Sequence, residues 1–307
     1  MKRQSKTSAP RLHRPGFSLI ELLVVIVIIG ILMALILPAL AGVRTRARVA
    51  QVGVEISQLD TAIGKFNGTY NIDPPSSLVI PGQNGTWLAT ERSKVRAIWP
   101  QFEFRTDDPT QPIVANKRWN GGLNNASSMH LNGAECLVFF LGGLQDASST
   151  MVATIGFSKS PQFPWSPSGA NREGPYFEFD SGRLVDSDGD GLREYVDPLP
   201  DQSAPYLFYS SQGKSYIVDN SAGADAFDVF VDASKNPSKI YLKTEKIVAN
   251  PSTRNTPHRA EGFQIISPGL DGAYGLGGVY TDGSELTAAR AAEADNITNF
   301  SGGQLKR

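Results

Sequence analysis

The sequence has little of what catalysis or disulfide chemistry would need. Its single cysteine, Cys136, has no second cysteine in the chain to pair with, so an intrachain disulfide is excluded. Apolar residues surround it at 134–141, which predicts a buried packing role for the thiol. The three histidines lack metal-ligand spacing, and no H-E-x-x-H, G-x-S-x-G or phosphate-binding glycine loop is present. The sequence therefore predicts a protein that is not an enzyme.

A strong excess of charge of one sign is also missing. The chain has 29 basic and 30 acidic residues, for a formal net charge of -1. Five of the cations, and no acid, fall within residues 1–16. They are Lys2, Arg3, Lys6, Arg11 and Arg14. Without these five, 24 basic residues face 30 acidic ones. A mildly acidic remainder gives no reason to expect nucleic-acid binding.

A long apolar segment follows these cations. Residues 22–43 carry no charge, and 22 residues at about 1.5 Å of helical rise each cover a hydrocarbon core of about 30 Å. The preceding cations predict a cytoplasmic N-terminus, with the chain after Val43 on the far side. Glu21 stands inside the apolar block, where an ionised group costs about 2.5 kcal/mol or more at mid-bilayer. We therefore expect Glu21 to lie near the interface or to have a partner.

The residues at the start of this segment resemble a known family. The run G-F-S-L-I-E at 16–21, with its basic leader and the Leu/Val/Ile run that follows, resembles the N-terminus of type IV pilins and type II secretion pseudopilins. In that family a membrane-embedded aspartyl prepilin peptidase cuts on the cytoplasmic side of the apolar segment. The resemblance implies cleavage between Gly16 and Phe17, followed by methylation of the new amine of Phe17.

Two other interpretations of the segment remain open. An ordinary secretory signal peptide also has a basic start and an apolar core, and A-L-A at 39–41 would supply its cleavage site. The apolar run is, however, longer than the roughly 7 to 15 residues usual for such a core. A simple membrane anchor would leave Glu21 without a role. Both interpretations leave the carboxylate inside the apolar block unexplained.

The helix is predicted to continue past the apolar segment. Apolar side chains recur at spacings of three and four, namely Val49, Val52, Ile56, Leu59, Ile63 and Phe66. A helix over 17–66 would be about 75 Å long, and turn residues at 67–68 and 73–75 would end it. The predicted organisation is a cleaved basic leader at 1–16, a transmembrane or filament-core helix at 17–43, and an exported pilin-like head at 44–307.

The head is predicted to be mostly β. Residues 76–130 show no sustained period and are interpreted as a long, partly irregular insertion. A short apolar helix should open at Asn132 and stop at Gly142. Aromatic and β-branched segments then predict antiparallel strands at 176–180, 206–210, 215–218, 227–231, 240–246 and 263–266. The pattern alone gives an α+β fold. The resemblance implies, more narrowly, a long N-terminal helix packed on an antiparallel β-sheet head.

An acidic loop, D-S-D-G-D-G-L-R-E-Y-V-D at 186–197, has the spacing of a calcium-binding loop. Its carboxylates occupy the ligand positions of such a loop, and a backbone carbonyl can supply one more oxygen. The predicted ligands are Asp186, Asp188, Asp190, Leu192, Glu194 and Asp197. Asp197 stands where a longer Glu is usual. A solvated Asp/Gly turn is the alternative interpretation.

A second acidic turn, G-L-D-G at 269–272, is followed by D-N-I at 295–297. These residues resemble the C-terminal loop of major pseudopilins, where such a turn and a later Asp-x-Ile segment hold calcium. The resemblance implies that Asp271 and Asp295 are ligands. The long stretch between them, with its Ala/Glu run at 285–294, departs from the short loop of the family. Bound Ca²⁺ would stabilise the folded head by mass action.

Together these features predict a structural subunit of a type II secretion pseudopilus. It would sit in the bacterial inner membrane with its head in the periplasm, and join other copies and related pilins at an inner-membrane assembly platform. Glu21 would then pair with the amine of Phe17 on a neighbouring subunit, which gives the buried charge a partner. The alternatives are a type IV pilus or competence pilin, and a membrane-anchored calcium-binding protein that never polymerises.

Overall fold

A computed structural model describes residues 17–81, 86–104, 128–146, 153–166, 171–189, 191–211, 240–244 and 256–305 of the chain. Its internal contacts form two units, one ending at Ala47 and the other beginning at Arg48. The helices in the described part are α1 (Leu19–Tyr70), α2 (Ala89–Ile98) and α3 (Gly133–Gly142), with 3-10 helices at Ser181–Arg183 and Ala288–Asp295.

The strands are short. They are β1 (Leu78–Ile80), β2 (Met129–Leu131), β3 (Gln145–Asp146), β4 (Ala153–Thr154), β5 (Phe157–Ser158), β6 (Arg172–Glu173), β7 (Leu184–Val185), β8 (Glu194–Tyr195), β9 (Leu207–Ser210), β10 (Tyr241–Thr244), β11 (Thr256–Pro257), β12 (Phe263–Ser267), β13 (Gly278–Val279) and β14 (Ile297–Thr298). They form small sheets, so the head is α+β as expected.

The first part of α1 has an apolar surface that the described part of the chain leaves exposed. The side chains of residues 19–37 are all exposed, although nearly all of them are apolar. Among the described residues, α1 is the helix that is long and apolar enough to cross a membrane. This surface therefore needs a bilayer or other chains to cover it.

The second part of α1 carries the predicted apolar stripe, which is confirmed. Val52, Leu59, Ile63 and Phe66 are fully buried in the main core of the head. The helix ends at Tyr70 rather than at Phe66. The ring centroids of Tyr70 and Phe66 are 4.6 Å apart, and this packing holds one further turn in helical conformation.

The largest antiparallel ladder has the order β14-β12-β9, and it confirms the predicted strands at 206–210 and 263–266. The strand predicted at 240–246 is β10, which pairs β11 antiparallel and β13 parallel. The strand predicted at 176–180 is wrong, because this segment forms turns and extended chain without a ladder partner. Its aromatic residues pack on side chains instead, as Tyr176 does on Phe66. The strands predicted at 215–218 and 227–231 lie outside the described residues.

The described parts of the region predicted as an irregular insertion contain regular elements that the sequence did not predict. β1 and β2 pair antiparallel, with Leu78 opposite Leu131, so they close the two ends of the insertion against each other. Helix α2 lies between them in the chain and buries Val95 and Ile98. Only two of its ten residues are apolar and buried. Two such residues are too few to give the hydrophobic periodicity from which a helix is predicted.

Helix α3 begins and ends where the sequence predicted. Glu135 N donates a hydrogen bond to Asn132 Oδ1 at 3.0 Å, and Asn132 N donates one to Glu135 Oε2 at 2.7 Å. This capping box satisfies two amides at the helix start. Every residue of α3 is buried, and Cys136 is buried within it as predicted.

Candidate functional site

The start of α1 is closed by a second capping box. Ser18 N donates to Glu21 Oε2 at 2.8 Å, and Glu21 N donates to Ser18 Oγ at 3.3 Å. Within its own chain, the carboxylate of Glu21 therefore lies beside the backbone N–H that follows Phe17. Phe17 is 79% exposed, and Gly16 lies outside the described residues. The segment thus places a carboxylate one residue away from Phe17, the residue at which the sequence predicts a new terminal amine.

Carboxylates from two distant parts of the chain meet beside the hairpin formed by β7 and β8. One oxygen from each of Asp188, Glu194 and Glu135 lies within 4.8 Å of the others. Glu194 is the first residue of β8, opposite Val185, and Glu135 is in the first turn of α3. Glu135 and Glu194 are buried, and Asp188 is half-buried. Three hard oxygen donors this close together are suited to Ca²⁺ or a similar cation.

Backbone bonds fix the shape of this loop. Asp186 Oδ1 accepts a hydrogen bond from Gly189 N at 2.8 Å, and Glu194 Oε2 accepts one from Ser187 N at 3.1 Å. The side chain of Leu192 is buried in the main core, which anchors the loop to the head. The structure thus brings Asp188 and Glu194 together as predicted and adds Glu135. Asp190 lies outside the described residues.

Asp197 lies apart from this group. Its carboxylate accepts hydrogen bonds from Leu199 N at 3.0 Å and from Ser267 Oγ at 2.5 Å, and it also contacts the amide of Gln202. Burial raises the pKa of Asp197 above its ordinary value, although these hydrogen bonds act in the opposite direction. In a helical calcium loop the last ligand returns to the ion, whereas here β8 is extended. Asp197 follows the strand and is not part of the group formed by Asp188, Glu194 and Glu135.

The structure also brings Asp271 and Asp295 together. Asp295 Oδ2 accepts hydrogen bonds from Leu270 N at 2.5 Å and from Asp271 N at 3.1 Å. Asp271 Oδ1 accepts one from Ala273 N at 2.8 Å. Burial, followed by the charge of Asp271, raises the pKa of Asp295 above its ordinary value. Their role as calcium ligands stays a prediction, and the bonds observed are to backbone N–H groups.

A further buried carboxylate, Glu55, links α1 to the head. Arg183 donates to both of its oxygens, at 2.9 Å to Oε2, and the hydroxyls of Tyr195 and Tyr206 donate at 3.1 and 2.7 Å. Burial and the charge of Glu55 raise the pKa of Tyr206 well above its ordinary value. A cavity of about 600 Å³ lies beside the pair and includes Tyr176 in its lining.

The sequence interpretation missed several residues of these sites. Glu21 was predicted as a site residue, but its capping box with Ser18 was not, although the S-x-x-E spacing of the two residues is a readable local signal. The N-x-x-E spacing of Asn132 and Glu135 likewise indicates a capping box, but no sequence pattern connects Glu135 to the loop at 186–194. Glu55 and Arg183 are even farther apart, by 128 positions in the chain. Contacts of this kind depend on how α1, α3 and the β7–β8 hairpin pack together.

Comparison with known protein families supports the interpretation of the N-terminus as pilin-like. Residues 11–37 match the family described as the prokaryotic N-terminal methylation motif. No match was found to a curated protein or to a solved structure. The match supports a type IV pilin-like N-terminus, which in that family belongs to a precursor that prepilin peptidase processes. The exposed apolar helix fits a membrane anchor at this end of the chain.

Proposed function

We propose that the chain is a structural subunit of a type II secretion pseudopilus, without a catalytic role. The observation that carries this proposal is Glu21, a carboxylate at the start of an exposed apolar helix inside the methylation motif. A charge there is costly in a bilayer unless it gains a partner. The amine of Phe17 on a neighbouring subunit supplies that partner when apolar helices bundle in a filament.

The choice of a secretion pseudopilus over another pilin rests on the C-terminal turn. The G-L-D-G turn at 269–272 faces Asp295, the pair of segments that resembles the C-terminal loop of major pseudopilins. The orientation follows from the basic leader, which keeps the N-terminus in the cytoplasm and places the head in the periplasm. Partners in this proposal are prepilin peptidase, an inner-membrane assembly platform, other copies of the chain and related pilins.

The first expected result concerns processing. In cells that contain prepilin peptidase, mass spectrometry of the mature protein should find a chain that begins at a methylated Phe17. A Gly16→Glu variant should keep its leader, because a bulky charged side chain replaces the smallest residue at the cut. A wild-type chain that retains residues 1–16 under these conditions would identify a simple anchor, and a cut after Ala41 would identify a secretory signal peptide.

We also propose that the head binds Ca²⁺ through Asp188, Glu194 and Glu135. Three carboxylates within 4.8 Å repel one another when ionised, and a divalent cation converts this repulsion into attraction. Asp186 holds the turn that carries Asp188, through its bond from Gly189 N. Bound Ca²⁺ would tie the β7–β8 hairpin to α3 and so stabilise two parts of the head against each other.

Calcium should therefore raise the stability of the full-length protein in detergent. At a free concentration of about 100 times the dissociation constant, we expect about 2.7 kcal/mol of stabilisation in thermal or urea unfolding. Asp188→Asn should remove most of this gain. Glu135→Gln should weaken binding while retaining an oxygen to accept Asn132 N. The control is Asp201→Asn at an exposed turn residue. Equal calcium gains in the wild type and in Asp188→Asn would contradict the site.

A further inference from the structure

One end of the C-terminal loop is fixed by backbone amides that point at a single carboxylate. Leu270 N and Asp271 N both donate to Asp295 Oδ2, at 2.5 and 3.1 Å. Hydrogen bonds to an ionised acceptor are stronger than those between neutral groups. This carboxylate oxygen is therefore directed at two N–H hydrogens.

The other end of the loop is fixed in the same way by a second carboxylate two residues earlier. Glu293 Oε1 accepts hydrogen bonds from Leu276 N at 3.0 Å and from Gly277 N at 3.1 Å. Glu293 is fully buried, and Arg290 neutralises it through Nε and Nη2, the latter at 2.6 Å from Oε2. A second cation at these oxygens would be repelled by the guanidinium.

The backbone of the loop is shaped to lie against these carboxylates. Gly269 and Gly275 have φ values of 72° and 70°, in the left-handed region that favours glycine. A Cβ at Gly269 would lie 2.7 Å from Cγ of Asp295, and one at Gly275 would lie 2.3 Å from Cγ of Glu293. Both glycines therefore provide the space that the carboxylate side chains occupy.

Apolar burial does not hold these two points of the loop. Leu270 is 44% exposed and Leu276 is 63% exposed, although their amides are the ones bound by Asp295 and Glu293. Tyr274 between them is buried in the second core cluster, so the amide–carboxylate bonds act on either side of this apolar contact, at positions whose own side chains remain in solvent.

We propose that Glu293 and Asp295 fix the loop at 269–277 in place of a bound cation. The loop that resembles the calcium loop of major pseudopilins then keeps its conformation without calcium. Asp271, the other ligand implied by the resemblance, instead accepts Ala273 N within the turn. This inference concerns the loop alone, so it holds whether or not the chain assembles into a pseudopilus.

Amide hydrogen exchange of the full-length Asp188→Asn protein in detergent tests the proposal, because this variant lacks the calcium site proposed beside the β7–β8 hairpin and calcium should no longer stabilise the head through it. Exchange at Leu270, Asp271, Leu276 and Gly277 should change by less than about twofold between EDTA and millimolar CaCl₂, because local opening breaks the same bonds in both. Slower exchange in calcium that is reversed by EDTA, by about tenfold or more, would overturn it.

Two variants separate the carboxylate bonds from calcium ligation. Asp295→Ala should raise exchange at Leu270 and Asp271 by about tenfold or more, in calcium and in EDTA alike. Asp271→Asn keeps an oxygen for Ala273 N, so it should leave those amides protected. Glu285→Ala, at an exposed acid in the same region, is the control. Unchanged exchange in Asp295→Ala, or loss of protection in Asp271→Asn, would refute the proposal.

Discussion

Glu21→Gln should prevent filament formation while leaving leader cleavage intact. The amide retains an oxygen that can accept the hydrogen bond from Ser18 N, so the helix start remains capped. What is lost is the charge that would neutralise the amine of Phe17 on a neighbour. Leaving one member of a buried ion pair without its partner costs about 3 to 5 kcal/mol. At 1.4 kcal/mol per factor of ten, this corresponds to a loss of about two to four orders of magnitude in association.

The measurement is electron microscopy of filaments sheared from cells that contain the assembly machinery, with mass spectrometry of the N-terminus in parallel. Ser18→Ala is the matched control, because it removes only the hydroxyl that accepts Glu21 N. That change should cost about 1 kcal/mol of helix capping and leave filaments. Normal filaments from Glu21→Gln would mean that Glu21 serves only as a cap, and the pairing hypothesis would then fail.

The capping box refines what the sequence said about Glu21. The apolar block alone indicated a charge in need of a partner, and the structure shows a partner within the same chain, the backbone N–H of Ser18. A capped carboxylate at the helix start is less costly in the membrane than an isolated one. While a subunit waits in the bilayer, we infer that this cap holds the carboxylate beside Phe17, where exchange to a neighbouring amine needs little movement.

Local patterns predicted the elements whose signals are local. The stripe from Val52 to Phe66 identifies the buried face of α1, and Asn132 with Glu135 identifies the start of α3. The segment at 176–180 has strand-like composition but no ladder partner, and it packs its rings on Phe66 and Tyr195 instead. Composition favours a strand, but only tertiary pairing can make one.

The candidate metal centre also could be predicted only in part from local sequence patterns. Asp188 and Glu194 follow from the spacing of the loop, whereas Glu135 reaches them only because α3 packs beside β8. Asp197 fits the spacing of a calcium-binding loop in the sequence. In the structure, however, a strand rather than a helix follows the loop, and the carboxylate of Asp197 accepts a hydrogen bond from Ser267 of β12. A ligand pattern derived from a helix–loop–helix motif therefore transfers only as far as the backbone geometry is shared.

The second large effect is expected at Glu55. Glu55→Ala should lower the free energy of unfolding by about 2 to 3 kcal/mol, because it leaves Arg183 with only the exposed carboxylate of Asp180 and removes the acceptor of two tyrosine hydroxyls. We place the effect at or below the low end of the range for buried pairs, since the side chain of Arg183 is 21% exposed and the pair borders a cavity. The measurement is urea unfolding of the full-length protein in detergent, followed by tryptophan fluorescence.

The same helix offers a matched control in the ion pair between Asp60 and Arg259, at 2.8 Å with both side chains about a third exposed. Asp60→Asn should cost less than about 1 kcal/mol, because water screens an exposed pair. The double variant of Glu55→Leu and Arg183→Met should be more stable than either single variant, since it leaves no uncompensated charge. If Glu55→Ala and Asp60→Asn cost the same, the Glu55 cluster would be an ordinary surface pair. The attachment of α1 to the head would then rest mainly on its apolar stripe.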